Sequence, residues 1–172
     1  ITVSVSGTTL TINESGLGSA TITLSATDGT LSVEDQFTVT VNNVNDAPVV
    51  ANPVANRNIN EHFASTTINL SGVFSDPDAD ALSLSVVSSD IGVVTASVTG
   101  TLLTLTEAGL GTALITLTAS DGSLSVDNQF TVTIDNVNDR PEVANAVANQ
   151  NLEEHFISTT IDLSGVFTDP DG

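Results

Sequence analysis

Thr21-Ile22-Thr23-Leu24-Ser25-Ala26 and Phe37-Thr38-Val39-Thr40-Val41 place apolar or β-branched residues in alternation with Thr and Ser. Successive side chains on a strand point to opposite faces, so a period of two describes strands with one face on a core and one in water. The alternation runs through most of the chain, and no stretch holds a 3.6-residue period long enough for a helix. Turn residues separate the runs. Asp121-Gly122 favours a tight hairpin, Gly109-Leu110-Gly111 breaks another pair, and Asp76-Pro77-Asp78 starts a loop.

The pattern then repeats. Asn43-Val44-Asn45-Asp46 returns as Asn136-Val137-Asn138-Asp139, and Glu61-His62-Phe63 as Glu154-His155-Phe156, both at an offset of 93. The same shift carries Leu10 to Leu103, Asp28-Gly29 to Asp121-Gly122 and Asp76-Pro77-Asp78 to Asp169-Pro170-Asp171 without an insertion. Solenoid coils take roughly 20–50 residues per unit, so this longer period describes small domains, each with its own core. Residues 1–46 then read as the C-terminal half of one repeat, 47–139 as a complete repeat and 140–172 as the N-terminal part of a third. A window cut in mid-repeat is expected to belong to a longer tandem array. Its end segments are expected to find partners outside the chain, either in neighbouring repeats of the same longer protein or in head-to-tail copies that complete split domains.

Within residues 47–139 the alternation predicts seven short strands: 49–54 with 58–63, then 67–70, 81–87, 93–98, 101–106, 112–119 and 124–134. Seven antiparallel strands in about a hundred residues make an all-β, Greek-key β-sandwich of the immunoglobulin type. The six phenylalanines fall at equivalent positions, Phe37 with Phe130, Phe63 with Phe156 and Phe74 with Phe167, which marks them as core anchors.

The chain has 21 acidic and 2 basic residues, a formal net charge of −19. Arg57 and Arg140 alone give no footprint for nucleic acid or an anionic membrane surface. Disorder is the usual reading of an acidic chain poor in aromatics, but 40% of this one is apolar and alternates, so it is expected to fold. There is no cysteine, hence no disulfide or thiolate metal site, and no run apolar enough for membrane insertion.

The carboxylates recur at one position per repeat. They form a boundary motif (Asn43, Asn45, Asp46; Asn136, Asn138, Asp139), an Asp-Pro-Asp loop (Asp76, Asp78, Asp80; Asp169, Asp171), a Glu beside His (Glu61, Glu154) and a Glu ending a strand (Glu14, Glu107). Alternate loops of a sandwich collect at opposite ends. The Asp-Pro-Asp loop and Asp121 therefore belong at the end where the chain enters, and Glu61 and Glu107 at the end near Asn136–Asp139. Such crowding without Lys is repulsive unless a cation intervenes, and a mixture of carboxylate, amide and backbone oxygens suits calcium better than magnesium or zinc. The histidines, one per repeat, do not build a zinc site, and His62 reads as a satisfied or solvent-facing residue. Simpler readings stand beside these: Asp-Pro-Asp as a turn initiator, Asp121 as the first residue of a tight turn.

Val-Asn-Asn-Val-Asn-Asp-Ala-Pro at Val41 to Pro48 and Ile-Asp-Asn-Val-Asn-Asp-Arg-Pro at Ile134 to Pro141 resemble the cadherin linker Asp-x-Asn-Asp-Asn-x-Pro. Phe-Ser-Asp-Pro-Asp-Ala-Asp at Phe74 to Asp80 resembles the cadherin Asp-x-Asp element, and Ala119-Ser120-Asp121 its Ala-x-Asp element. Taken together the chain is similar to the bacterial cadherin-like (dystroglycan-type) repeats of giant secreted surface adhesins. The resemblance implies two calcium ligand sets: Glu14, Asn45, Asp46, Asp76, Asp78 and Asp121 at one junction, and Glu61, Glu107, Asn138, Asp139, Asp169 and Asp171 at the next. Asn43 and Asn136 stand where the family has Asp, and one linker residue is missing, which implies fewer ions per junction.

Three functions follow as alternatives. One is a calcium-rigidified spacer of an extracellular adhesin or filament on a bacterial cell surface. Another is a carbohydrate- or cell-binding module, which would want exposed aromatic residues other than these phenylalanines. The third, an enzyme, is expected least, because the chain has no Lys, Cys or Tyr, no Gly-x-Ser-x-Gly and no cluster of His.

Overall fold

The computed structural model describes residues 1–171 and is all-β, with no helix among them. By its internal contacts the chain divides into two compact units, Ile1–Asp46 and Ala47–Gly172.

The first unit is two antiparallel hairpins. β1 (Thr2–Ser6) pairs β2 (Thr9–Asn13), and β3 (Gly18–Thr27) pairs β4 (Ser32–Val41) with Ile22 opposite Phe37. Of its large apolar side chains only Ile22 is buried, whereas Val5, Leu31 and Val33 are exposed.

The second unit contains a complete sandwich. Its strands are β5 (Val49–Val50), β6 (Arg57–Asn60), β7 (Thr66–Asn69), β8 (Phe74–Ser75), β9 (Ser83–Ser88), β10 (Val94–Thr99), β11 (Leu102–Glu107), β12 (Gly111–Ser120) and β13 (Ser125–Asp135). One sheet has the order β10-β11-β7 and the other β6-β13-β12-β9, while β5 and β8 form a separate short pair. All pairings are antiparallel except β6 with β13, where Ile59 stands beside Ile134. The chain changes sheet between β6 and β7, between β7 and β9, between β9 and β10 and between β11 and β12, the connectivity of an immunoglobulin-like sandwich.

The period of two explains the burial. On β12, Ala113, Ile115, Leu117 and Ala119 are buried and the residues between them are not; on β13, Phe130, Val132 and Ile134 are buried. Leu103, Leu105 and Val94 from the other sheet complete one continuous core with Leu70, Val73 and Phe74. Burying a side chain the size of Phe130 or Leu105 contributes about 1.5–3 kcal/mol.

The sequence expectation is corrected at the first strand. Residues 49–54 and 58–63 do not share a partner: β5 pairs β8, and β6 pairs β13. Between them Pro53 has no N–H to donate, and Asn52 instead donates its side-chain amide to the Gly72 carbonyl at 2.8 Å. β8 lies where a loop was expected.

The rest of the second unit is sparse in structure. β14 (Glu142–Val143) pairs β15 (Phe167–Thr168), and the residues between them form no strand.

Candidate carboxylate sites and the family of the fold

The turn after β8 builds the tighter of two carboxylate clusters. Asp76 Oδ1 accepts the backbone N–H of Asp78 at 2.8 Å and of Asp80 at 3.3 Å, and the Asp76 carbonyl accepts that of Ala79 at 3.2 Å. Ala79 holds a left-handed φ of 64°, which turns the chain back so that Asp76, Asp78 and Asp80 converge. One carboxylate oxygen from each lies within 4.8 Å of the others. Asp76 Oδ2 is buried and has no hydrogen-bond partner. A buried anionic oxygen without a donor is costly, and the other ligands within reach are carboxylates. Carboxylates at alternate positions of a short loop are the way calcium loops place their first ligands.

The residues therefore fit a hard divalent cation. Asp121 is not in this group. Its Oδ1 accepts the N–H groups of Ser123 at 2.6 Å and Leu124 at 2.7 Å, capping the β12–β13 hairpin, where Gly122 takes a φ of 99°. Glu14, Asn43, Asn45 and Asp46 lie in the first unit, where Asn45 Nδ2 donates to the Asp46 carbonyl.

The second cluster gathers where β6 and β13 end. Glu61 Oε1 accepts the Val137 N–H at 2.7 Å, and Glu107 Oε1 accepts the His62 N–H at 3.2 Å. Asp171 Oδ2 accepts the Asp139 N–H at 2.6 Å, and its Oδ1 accepts Asn136 Nδ2 at 2.9 Å. Asp169 Oδ1 in turn accepts the Asp171 N–H at 3.0 Å. Asn138 Nδ2 donates to the Asp139 carbonyl at 2.9 Å. The amide of Asp139, then the side chain of Asn136, hold the Asp171 carboxyl below its ordinary range.

Sequence reasoning left His62 out of this network. Its Nε2 lies 3.5 Å from Asp139 Oδ2 and 4.0 Å from Glu61 Oε2, and its φ is 69°. The signal available was its place beside Glu61 in both repeats. Asn128 was also missed: it is buried, and its Oδ1 accepts the Val54 N–H at 3.1 Å, tying the segment between β5 and β6 to β13.

With the sandwich and its polar ends described, the family follows. The Bacterial Ig domain family matches residues 45–135, more than half of the chain. The chain belongs to the bacterial Ig domain family. No curated protein matches it. Among solved structures it is similar to an endo-fucoidan hydrolase of glycoside hydrolase family 107, at 21% identity and a TM-score of 0.42, covering 79% of this chain but 22% of the hydrolase. It is also similar to domains 4 and 5 of the S-layer protein SbsC, at 17% identity and a TM-score of 0.39, covering 68% of this chain and 58% of that one. Titin domain M7 is similar at 13% identity and a TM-score of 0.36, over 55% of this bacterial Ig chain and 99% of titin's domain. No helix of the described residues is long and apolar enough to cross a membrane.

Proposed function

We propose that this bacterial Ig chain is a spacer in a secreted bacterial surface protein, and that calcium stiffens it at the repeat boundaries as in cadherin-like arrays. The observation that carries the reading is the unpartnered, buried Asp76 Oδ2 inside a loop of three convergent carboxylates. A calcium ion there would draw on Asp76, Asp78 and Asp80, neutralise their mutual repulsion and lock the turn that leads from β8 toward β9. The second cluster supports the same reading less directly, since both oxygens of Asp171 already accept hydrogen bonds. A net charge of −19 adds a general attraction for divalent cations.

The test is a thermal melt in millimolar calcium and in chelator, repeated with Asp76→Asn. Calcium should raise the melting temperature of the parent and leave that of the variant nearly unmoved. Equal melting of the parent in both buffers would remove calcium from the account, and an equal response of the variant would move the ion away from Asp76.

A further inference from the structure

Beyond Asp135 the chain leaves the complete repeat through residues 136–139, which belong to no strand. Their backbone donors therefore need acceptors from side chains or water. Acidic side chains supply them. Glu61 grips the exit twice: its own N–H donates to the Asp135 carbonyl at 3.0 Å, and its Oε1 accepts the Val137 N–H at 2.7 Å. From the other side Asp171 accepts the Asp139 N–H at 2.6 Å and Asn136 Nδ2 at 2.9 Å.

Each grip has a footing in the fold. Glu61 directly follows β6, whose parallel pairing with β13 sets it beside the exit. The next residue, His62, takes a left-handed φ of 69°, and its N–H donates to Glu107 Oε1 at 3.2 Å, so the end of β11 in the facing sheet braces the same corner. Asp171 is braced by Asp169, whose Oδ1 accepts its N–H at 3.0 Å. The Glu61 side chain is only 14% exposed, so water competes little for its bond to Val137, whereas Asp171 is exposed and its bonds are the weaker pair. In the Asp76 loop a carboxylate oxygen is left without a donor; here the amides of His62, Val137 and Asp139 supply the positive ends that crowded carboxylates need.

We propose that Glu61 and Asp171 form a cation-independent clamp on residues 136–139, which fixes the direction in which the chain leaves the complete repeat. The grips alternate along the linker: Asn136 is held by Asp171, Val137 by Glu61 and Asp139 by Asp171. Any swing of the linker breaks a bond on one side or the other, and each acceptor is a carboxylate, the stronger kind of hydrogen-bond partner. The contacts run from β11 through Glu107, His62 and Glu61 to the linker, and on through Asp171 to Asp169, so the Asp-Pro-Asp loop at residues 169–171 is tied to the complete repeat by more than the covalent chain. The inference goes beyond the calcium reading, which is carried by the Asp76 loop. The two fail separately, because the clamp uses amide donors already present in the chain.

The test is amide hydrogen exchange, read residue by residue by NMR on the full chain at neutral pH with chelator present. The Val137 and Asp139 amides should exchange about tenfold or more slowly than that of Asn138, whose N–H has no acceptor among the described residues. Glu61→Ala should release Val137, and Asp171→Ala should release Asp139, while the amides of β12 and β13 keep their protection as the check on folding. Glu61→Gln retains an acceptor oxygen and should preserve most of the protection at Val137. Asp171→Ala lies outside the complete repeat, so it carries the test if Glu61→Ala does not fold. Val137 and Asp139 exchanging as fast as Asn138 in chelator, protection that appears only when calcium is added, or protection that survives the Ala variants would each overturn the clamp. A calcium-insensitive Asp76 loop would leave it standing.

Discussion

Leu70 and Leu163 hold the same place in the repeat, follow near-identical sequence and end in opposite environments, one 2% and the other 58% exposed. Residues 66–69 form β7 and residues 159–162 form nothing, although Thr-Thr-Ile-Asn and Thr-Thr-Ile-Asp have the same strand propensity. The difference is the neighbour. β7 has β11 to pair with, and the trailing segment has no such strand within its unit. Strand formation here is decided by tertiary pairing, with local preference supplying only the pattern to be used.

The sharpest way to break this comparison is to delete an equivalent core side chain on each side of it. Phe130→Ala should cost the complete repeat about 3–5 kcal/mol in denaturant unfolding, since Phe130 is 1% exposed. Its counterpart Phe37 is only half-buried in its hairpin, so Phe37→Ala should leave the main unfolding transition in place. Equal losses at the two positions would mean that the first unit carries a packed core of its own.

Calcium comes next in size. If the Asp76 loop binds it, a hundredfold excess over Kd stabilises the folded state by about 2.7 kcal/mol. The loop at Asp169–Asp171 provides the contrast, because Asp171 is already satisfied by Asp139 and Asn136. Asp171→Asn should therefore weaken the calcium response less than Asp76→Asn does. A calorimetric titration in which both changes abolish the same heat would show that the two loops are equivalent.

These cases also show what the sequence made legible. The alternation at Thr21 to Ala26 and Phe37 to Val41 was enough for β3 and β4, and its copies for β12 and β13, because long strands with one buried face carry a strong period. It said little about β5 and β8, two residues each, whose pairing depends on Pro53 and the Asn52 side chain rather than on any period. It said nothing of the loss of strand over residues 150–162, since a pattern cannot report whether its partner is present. At the candidate sites the spacing of Asp76, Asp78 and Asp80 was readable as a convergent loop. The role of Asp121 was less so, because a turn cap and a metal ligand call for the same residue before Gly. His62 escaped because its contact depends on a left-handed backbone conformation that no composition rule for His predicts.

The smallest effect is one of pH, and it sets Asp28 in the β3–β4 turn beside Asp171 in the second unit. Asp28 Oδ1 accepts the N–H groups of Leu31 and Thr30, each at 2.9 Å, and these hold its carboxyl below the ordinary aspartate range. The Asp139 amide and the Asn136 side chain do the same for Asp171. Both groups bind protons less readily folded than unfolded, so their contribution is present above the unfolded pKa and is lost as pH falls through the lower folded one. The loss falls in the acid range, below the usual aspartate pKa, and is small because both carboxyls are fully exposed and screened by water. Asp28→Asn keeps an acceptor oxygen for the turn while removing the titration, so it should flatten the acid limb without disturbing the β3–β4 hairpin. Carboxyl-carbon NMR titration checks the cause directly. If Asp28 and Asp171 titrate like aspartates in an unfolded peptide, these amide hydrogen bonds do not persist in solution, and the turn of the β3–β4 hairpin is held by Gly29 and the Thr27 hydroxyl instead.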